Sequence, residues 1–394
     1  MSSGDAVCLR CVVDRTVPGA VFDDAGVCSY CHLHDAMEQA WPTGPEGRGR
    51  LDELVATIKR SGAGRRYDCI VGISGGTDST YSLYLARELG LRPLAVHFDN
   101  GWCSEISVSN IRKVLTQLDV DLQTYVVDWE EFRDLQVAYL RSSLPWADTP
   151  TDEGIIAALD RIAKAEGVRW VITGGSFRTE GKMPSEWTYG DARMIRHIQR
   201  RFGTKPLRSY PYMTLSHFVW RRAVSRIGWE RPLNYVDYSK VEAQRLLSRE
   251  LGWEYYGGHH YENIYTRFVY SYWLPVKFDI DKRKITHAAL VRSGEMTREA
   301  ALSELLEPPQ PPDRLEADVE YVVKKLRLSR EEFDELLERP NRGFRDYPSY
   351  YPLYERFTTV ARLASTLLLS WTPPLLLEMD ARRRAQDGSA ADQR

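Results

Sequence analysis

The feature that most constrains the fold is a glycine-rich turn, Ser74-Gly75-Gly76-Thr77-Asp78-Ser79, which follows a buried apolar run and opens a helix. Residues 67–73 read as a buried strand, and residues 80–89 place Tyr81, Tyr84, Leu85 and Leu89 on one helical face. Further strands are expected over residues 93–98, 122–127 and 169–173. Helices are expected over residues 51–58, 106–118, 129–140 and 154–165. Strands alternating with helices of this length predict an α/β fold, a parallel doubly wound sheet covered on both faces.

Such sheets bind ligands at the carboxyl ends of their strands. Three loops fall there: residues 74–79, Asp99-Asn100-Gly101 and Gly174-Gly175-Ser176. In the first, two glycines let the backbone approach an anion, and Ser74, Thr77 and Ser79 add hydroxyl donors. The helix that follows aims its free N–H groups at the same point. Asp78 beside a phosphate calls for Mg²⁺ between them. The bland alternative is a glycine turn that holds no ligand.

Four of the six cysteines fall in the first 31 residues, as Cys8-x-x-Cys11 and Cys28-x-x-Cys31. This spacing matches two metal knuckles that close a tetrahedral, structural zinc site. A disulfide framework is the alternative, and His32 and His34 are further candidate ligands. Cys69 and Cys103 stand alone and read as packed thiols.

Composition excludes some classes. Hydrophobic residues at 43% and charged residues at 27% give too much apolar side chain for a disordered chain. Lysine and arginine (53) nearly balance aspartate and glutamate (55), so no global charge marks a nucleic-acid or membrane-surface partner. The most apolar stretch, residues 360–377, is interrupted by Arg362, Pro373 and Pro374 and makes a poor membrane span. No export signal is visible, and a cytoplasmic location is expected.

Ser74, Gly75, Gly76, Asp78 and Ser79 match the SGGxDS signature, so the turn resembles the PP-loop of the ATP pyrophosphatase superfamily, the adenine-nucleotide α-hydrolase-like fold. Within it, several segments are similar to N-acetyl sugar amidotransferases, enzymes that convert the acetamido group of a bacterial surface sugar into an acetamidino group. They are the cysteine-bearing opening, Thr179-Glu180-Gly181 with Pro184 and Trp187, residues 256–268, Asp281-Lys282-Arg283, and residues 293–300. The likeness spans residues 8–306. It implies an enzyme that uses ATP, Mg²⁺ and structural Zn²⁺. Such an enzyme adenylates a carbonyl oxygen, releases pyrophosphate and lets ammonia displace AMP. It further implies an acetamido-sugar or sugar-nucleotide substrate, with ammonia from a separate, cyclase-like glutamine amidotransferase partner. The alternative is a sulfurtransferase acting on tRNA or a small molecule, since some of those also join zinc knuckles to a PP-loop.

On this reading the nucleotide side comprises Ser74, Gly75, Gly76, Thr77, Asp78, Ser79, His97, Asp99, Gly174 and Gly175. Glu180 follows the third loop and is expected to bind Mg²⁺, orient ammonia or cap a helix. His259 and His260, after Gly257-Gly258, suit proton handling near neutral pH, or else lie on a surface turn. Lys277, Lys282, Arg283 and Lys284 form a basic cluster that reads either as a solvated face or as a holder of pyrophosphate or the AMP ester. The resemblance favours Lys282 and Arg283 for the second role.

Basic residues between Arg193 and Arg208 suggest a solvated helical face, a site for a sugar-nucleotide diphosphate or a docking surface. The expected organisation is a zinc ribbon over residues 1–45 and a nucleotide domain over 46–260. A site-completing segment over 261–310 and a helical extension over 311–394 follow, the latter ending in a disordered tail.

Overall fold

The structure is a computed structural model that describes residues 6–220, 226–258 and 260–357. The apolar helix expected over residues 358–369, the tail over 382–394 and His259 lie outside the described residues.

The chain opens with the two cysteine turns, tied by the antiparallel bridges Val7–Asp14 and Phe22–Cys28, and enters α1 (Ser29–Ala40) and α2 (Gly44–Ser61). Alternation then begins with β1 (Cys69–Gly72), α3 (Thr77–Glu88), β2 (Pro93–Asp99), α4 (Glu105–Leu118) and β3 (Leu122–Val126). After α5 (Trp129–Ser142) and α6 (Thr149–Ala165), β4 (Trp170–Ile172) joins the other side of β1. A short β5 (Gly228–Glu230) completes the sheet.

The five strands are ordered β3-β2-β1-β4-β5 and all pairs are parallel. Along β1 the side chains alternate, as a pleated strand requires. Cys69 and Val71 pack with α2, α3 and α4 residues such as Val55, Leu83 and Val114. Ile70 packs on the opposite face with Leu159 and Ile162 of α6. The doubly wound α/β sheet is therefore as the alternation predicts. The order in which strands are added reverses between β1 and β4, and a crevice opens at the carboxyl ends of strands where that happens.

Between β4 and the sheet's last strand run α7 (Phe177–Glu180), α8 (Ser185–Thr188), α9 (Ala192–Phe202) and α10 (Leu215–Trp220). After β5 come α11 (Lys240–Leu251), α12 (Ile264–Phe268), α13 (Arg283–Arg292) and α14 (Arg298–Leu306), then α15 (Pro312–Leu326) and α16 (Arg330–Glu338). The Ser329–Glu332 capping box opens α16 as its sequence predicts.

The C-terminal helices build a second core beside the sheet, where Phe268, Trp273, Val322 and Phe333 meet Phe132 and Leu140 of α5. The aromatic residues of 265–273 belong largely to this core. A buried fork–fork pair, Arg267 to Asp318 at 2.5 and 2.6 Å, locks α12 to α15. The proline-rich segment at 308–312 is pinned as well: Tyr261 donates to the Pro309 carbonyl at 3.0 Å and Gln310 to Asp318 at 3.1 Å. Among the described residues no helix is long and apolar enough to cross a membrane.

Candidate active site

The turn after β1 is held from several sides. Ser79 Oγ lies 3.1 Å from both the Ser74 amide and Ser74 Oγ, so the two serines brace the loop. The Trp253 indole donates to the Gly75 carbonyl at 2.9 Å. Gly75 adopts φ +81°, and a Cβ there would collide with the Ser107 carbonyl, so only glycine passes without strain. Gly174 lets the β4 loop close on the start of α3, where its Cβ would stand 2.6 Å from the Ser79 nitrogen. Gly76, at the N-cap of α3, supplies no side-chain cap, and the Tyr256 hydroxyl takes the Thr77 amide at 3.2 Å, so the positive end of this 12-residue helix still suits an anion at its other first-turn amides.

Charge gathers in front of this turn. Asp78 accepts a hydrogen bond from the Tyr238 hydroxyl and pairs with Lys240 Nζ at 3.0 Å. Two glycines admit two more carboxylates. A Cβ on Gly175 would lie 2.8 Å from Glu180 Oε2, and one on Gly76 2.9 Å from Glu262 Oε1. Burial pushes the Glu180 carboxyl pKa up, and the neighbouring Asp78 carboxylate adds to the shift. Burial alone would lower Lys240, but Asp78 and Glu180 outweigh it and hold the ammonium charged.

His260 sits at φ +60° with Nδ1 3.7 Å from Glu262 Oε1. Burial pulls its pKa down, yet Glu262 and Glu180 raise it more, so the imidazolium is favoured. The second carboxylate oxygen of Glu262 is buried and has no hydrogen-bond partner in the protein.

Lys282 closes the far side. Its Nζ lies 3.5 Å from the Trp146 ring centre and 4.8 Å from that of Tyr270. Burial lowers its pKa to about 8, against the pull of Asp152, Asp148 and Glu180. Asp152 accepts from the Trp146 indole at 2.6 Å. It keeps accessible surface, yet crowding protein pushes its carboxyl pKa up, as in a group that lines a recess. Asp148 is pushed to about 7 by burial and by Asp152.

The structure brings Ser74 to Ser79, Gly174, Gly175, Glu180, His260 and Lys282 to one cleft, and turns Arg283, Lys277 and Lys284 to other partners. Arg283 turns away: its guanidinium holds Asp281 at 2.7 Å and the carbonyls of Glu304 and Glu307 at 3.0 and 2.8 Å. Lys277 caps the Leu337 and Arg339 carbonyls, and Lys284 binds Asp14 at 2.6 Å. The basic run is therefore neither one solvated face nor one anion holder, because adjacent helical positions point in different directions. His97 is buried against the Ile73 carbonyl (2.9 Å) and Cys103 Sγ (3.5 Å), with Asp99 beside it. Arg193, Arg196 and Arg200 lie on the exposed face of α9.

Sequence reasoning missed Tyr238, Lys240, Glu262, Asp148 and Asp152. Ser239, which caps α11, gives a local signal for a helix start beside Lys240. Nothing local tells that this start faces a loop 160 residues upstream.

The N-terminal cysteines form a second centre. All four are buried and free, so the disulfide alternative is not what the structure contains. Their sulfurs stand 3.8, 3.6 and 3.7 Å apart for the pairs Cys8–Cys31, Cys11–Cys28 and Cys28–Cys31. Four thiolates about 2.3 Å from one ion would be about 3.8 Å apart, so the cluster can bind a metal. His32 instead pairs with Asp23 at 2.8 Å, and His34 is buried with its Nε2 3.4 Å from a Glu38 oxygen. Arg298 ties the Cys8 and Cys11 carbonyls to α14 at 3.0 Å each. The cysteines share a core with Trp187, Ile285 and Ala301.

Comparison with known proteins adds three findings. Residues 262–361 match the family model described as "LPS biosynthesis protein WbpG-like, C-terminal domain". The chain is 26% identical over 263 residues to the uncharacterized protein MJ1599 of Methanocaldococcus jannaschii, covering 66% of this chain and 79% of that one. A solved structure of the U34-tRNA thiolase NcsA from Methanococcus maripaludis, with its 4Fe-4S cluster, aligns over 86% of this chain and 90% of that one. The sequence identity there is 12% and the TM-score 0.29.

Proposed function

We propose that this protein is an ATP-dependent amidotransferase that converts the acetamido group of a sugar or sugar nucleotide into an acetamidino group. The observation that carries the reading is the N-terminus of α3 in the Ser74–Ser79 turn, faced by Asp78, Glu180 and Lys240 at the sheet's switch point. The lipopolysaccharide-biosynthesis match over residues 262–361 supports a surface-sugar substrate, and this segment contributes Glu262 and Lys282 to the cleft.

An amide oxygen is a poor leaving group, and making it part of AMP removes that obstacle. The acetamido oxygen attacks the α-phosphorus of ATP and pyrophosphate departs into the turn, whose N–H and hydroxyl groups take up its charge. Ammonia then adds to the imidate carbon and AMP leaves with the former carbonyl oxygen. The products balance as the amidinium cation, AMP and hydrogen pyrophosphate.

The residues fit Mg²⁺: three carboxylates converge on a phosphate-binding turn, and a buried Glu262 oxygen has no protein partner. One or two of these carboxylates, with phosphate oxygens and water, would hold the ion, which would screen the phosphate charge. Lys282, in its charged form, faces the AMP ester across the recess and offsets its negative charge. Zinc is the metal that best suits the four thiols, in a closed structural site. Ammonia would come from a separate glutaminase subunit. The sulfurtransferase alternative asks for a reactive thiol, yet burial pushes the Cys103 thiol up to about 12 and Cys69 is fully enclosed.

The test is to incubate the protein with ATP, Mg²⁺, ammonium and acetamido sugars or their nucleotides. AMP and pyrophosphate should form only with the right acceptor. The product should be about one mass unit lighter, since NH replaces oxygen. Release of ADP, or no turnover with any acetamido acceptor, would overturn the proposal.

A further inference from the structure

His97, Asp99 and Cys103 form a mixed nitrogen, oxygen and sulfur cluster at the carboxyl end of β2, remote in sequence from the N-terminal cysteines. One ligand atom from each lies within 4.8 Å of the other two. The strand's period of two puts His97 and Asp99 on the same side of β2. The turn through Gly101, at φ +78°, then carries Cys103 back to them. Cys103 is fixed by its bridge to Asn263, and the next residue donates its amide to the Glu262 carbonyl at 2.9 Å.

We propose that these three side chains are a zinc site, distinct from the four-cysteine cluster. The geometry is suited to it. His97 Nδ1 lies 2.9 Å from the Ile73 carbonyl, which can only accept, so Nδ1 carries the proton and Nε2 presents its lone pair. A ligating histidine is usually oriented by such a bond from its other nitrogen. The lone pair faces Cys103 Sγ at 3.5 Å. A tetrahedral zinc with bonds of about 2.0–2.1 Å to nitrogen and about 2.3 Å to sulfur separates those two atoms by about 3.6 Å.

A thiol-to-imidazole hydrogen bond would explain that pair alone, but not the carboxylate beside it. Asp99 accepts the Gly101 amide at 2.9 Å through Oδ1, a bond that holds the carboxylate beside the other two ligands. Imidazole, carboxylate and thiolate together suit zinc better than the hard cations. Three protein ligands leave one tetrahedral position for water. Because His97 is anchored to Ile73, the residue before Ser74, the ion would stiffen the root of the nucleotide turn.

Metal content tests this independently of any nucleotide chemistry. The full chain, grown with zinc and dialysed, should carry two zinc ions by elemental analysis. Cys103→Ala and Asp99→Ala should each carry one, with unchanged circular dichroism. The spectrum of the cobalt(II)-loaded wild type minus that of cobalt(II)-loaded Cys103→Ala should be that of a tetrahedral ion with a single thiolate. Equal zinc content in the wild type and both cluster variants, or no such band in the cobalt difference spectrum, would overturn the proposal.

Discussion

Replacing Lys282 by methionine should remove a rise in stability above neutral pH and also lower catalysis. Lys282 is 5% exposed, and burial lowers its pKa from 10.5 to about 8 despite Asp152, Asp148 and Glu180. Between those two values the unfolded chain still holds a proton that the folded chain has released. The contribution of Lys282 to unfolding free energy therefore rises with pH across that window. It is smallest below pH 8, where both states are charged.

One pKa unit corresponds to about 1.4 kcal/mol, so the whole window carries about 3 kcal/mol and the step from pH 7 to 9.5 about 2 kcal/mol. Lys282→Met keeps an apolar stem over Trp146 and removes the titration. Urea unfolding at both pH values should show the wild type gaining about 2 kcal/mol relative to the variant. Taking the difference between the two proteins cancels the tyrosines that ionise in the same range. Acceptor-dependent AMP release by the variant should fall by about 100-fold or more. Parallel stability profiles would refute the buried-cation argument, and undiminished turnover would refute the role in the cleft.

Asp78→Asn keeps the shape but removes the charge that pairs with Lys240, so AMP release should drop by about 100-fold or more and the unfolding midpoint should fall, because a largely buried ammonium loses its partner. A steady-state pyrophosphate assay across Mg²⁺ concentrations reads the first effect directly. Gly75→Ala sets a side chain at φ +81° against the Ser107 carbonyl, which should cost at least about 2 kcal/mol by chemical denaturation. Arg283→Ala loses the Asp281 pair and two carbonyl bonds; it should cost about 1–3 kcal/mol by the same measurement while the turnover of folded enzyme stays near wild type.

The sheet was legible because its central strands are short apolar runs closed by turn residues, and those signals are local. The fifth strand was not, because Gly228-Trp229-Glu230 has neither an apolar run nor alternation, and it pairs only with β4 at the sheet's edge. The glycine turn and Glu180 were legible for a similar reason: the first sits at a strand end that the alternation already marks, and the second follows the loop at another. Lys240, Tyr238 and Asp152 carry no such local mark. Their place in the cleft follows from how α11 and α6 pack around the turn, which no short window of sequence contains.

The two adjacent cations at 282 and 283 sharpen this point. Composition treats them alike, and the family resemblance selects both. They flank the first turn of α13, where consecutive side chains diverge by roughly 100°. Only one of the two can face the recess. Arg283 has Asp281 two residues back and two carbonyls at the end of α14, partners that match a planar guanidinium. Lys282 instead slides its ammonium over Trp146, among carboxylates it shares with the cleft. What decides between structural and catalytic use is therefore the partner each side chain meets, and an amide pair such as Asp281→Asn with Arg283 retained should loosen α14 without touching Lys282. Weakened docking of α14 by hydrogen exchange, with acceptor-dependent AMP release preserved, is the expected result; loss of that release in step with the docking would show that the two cations act as one unit.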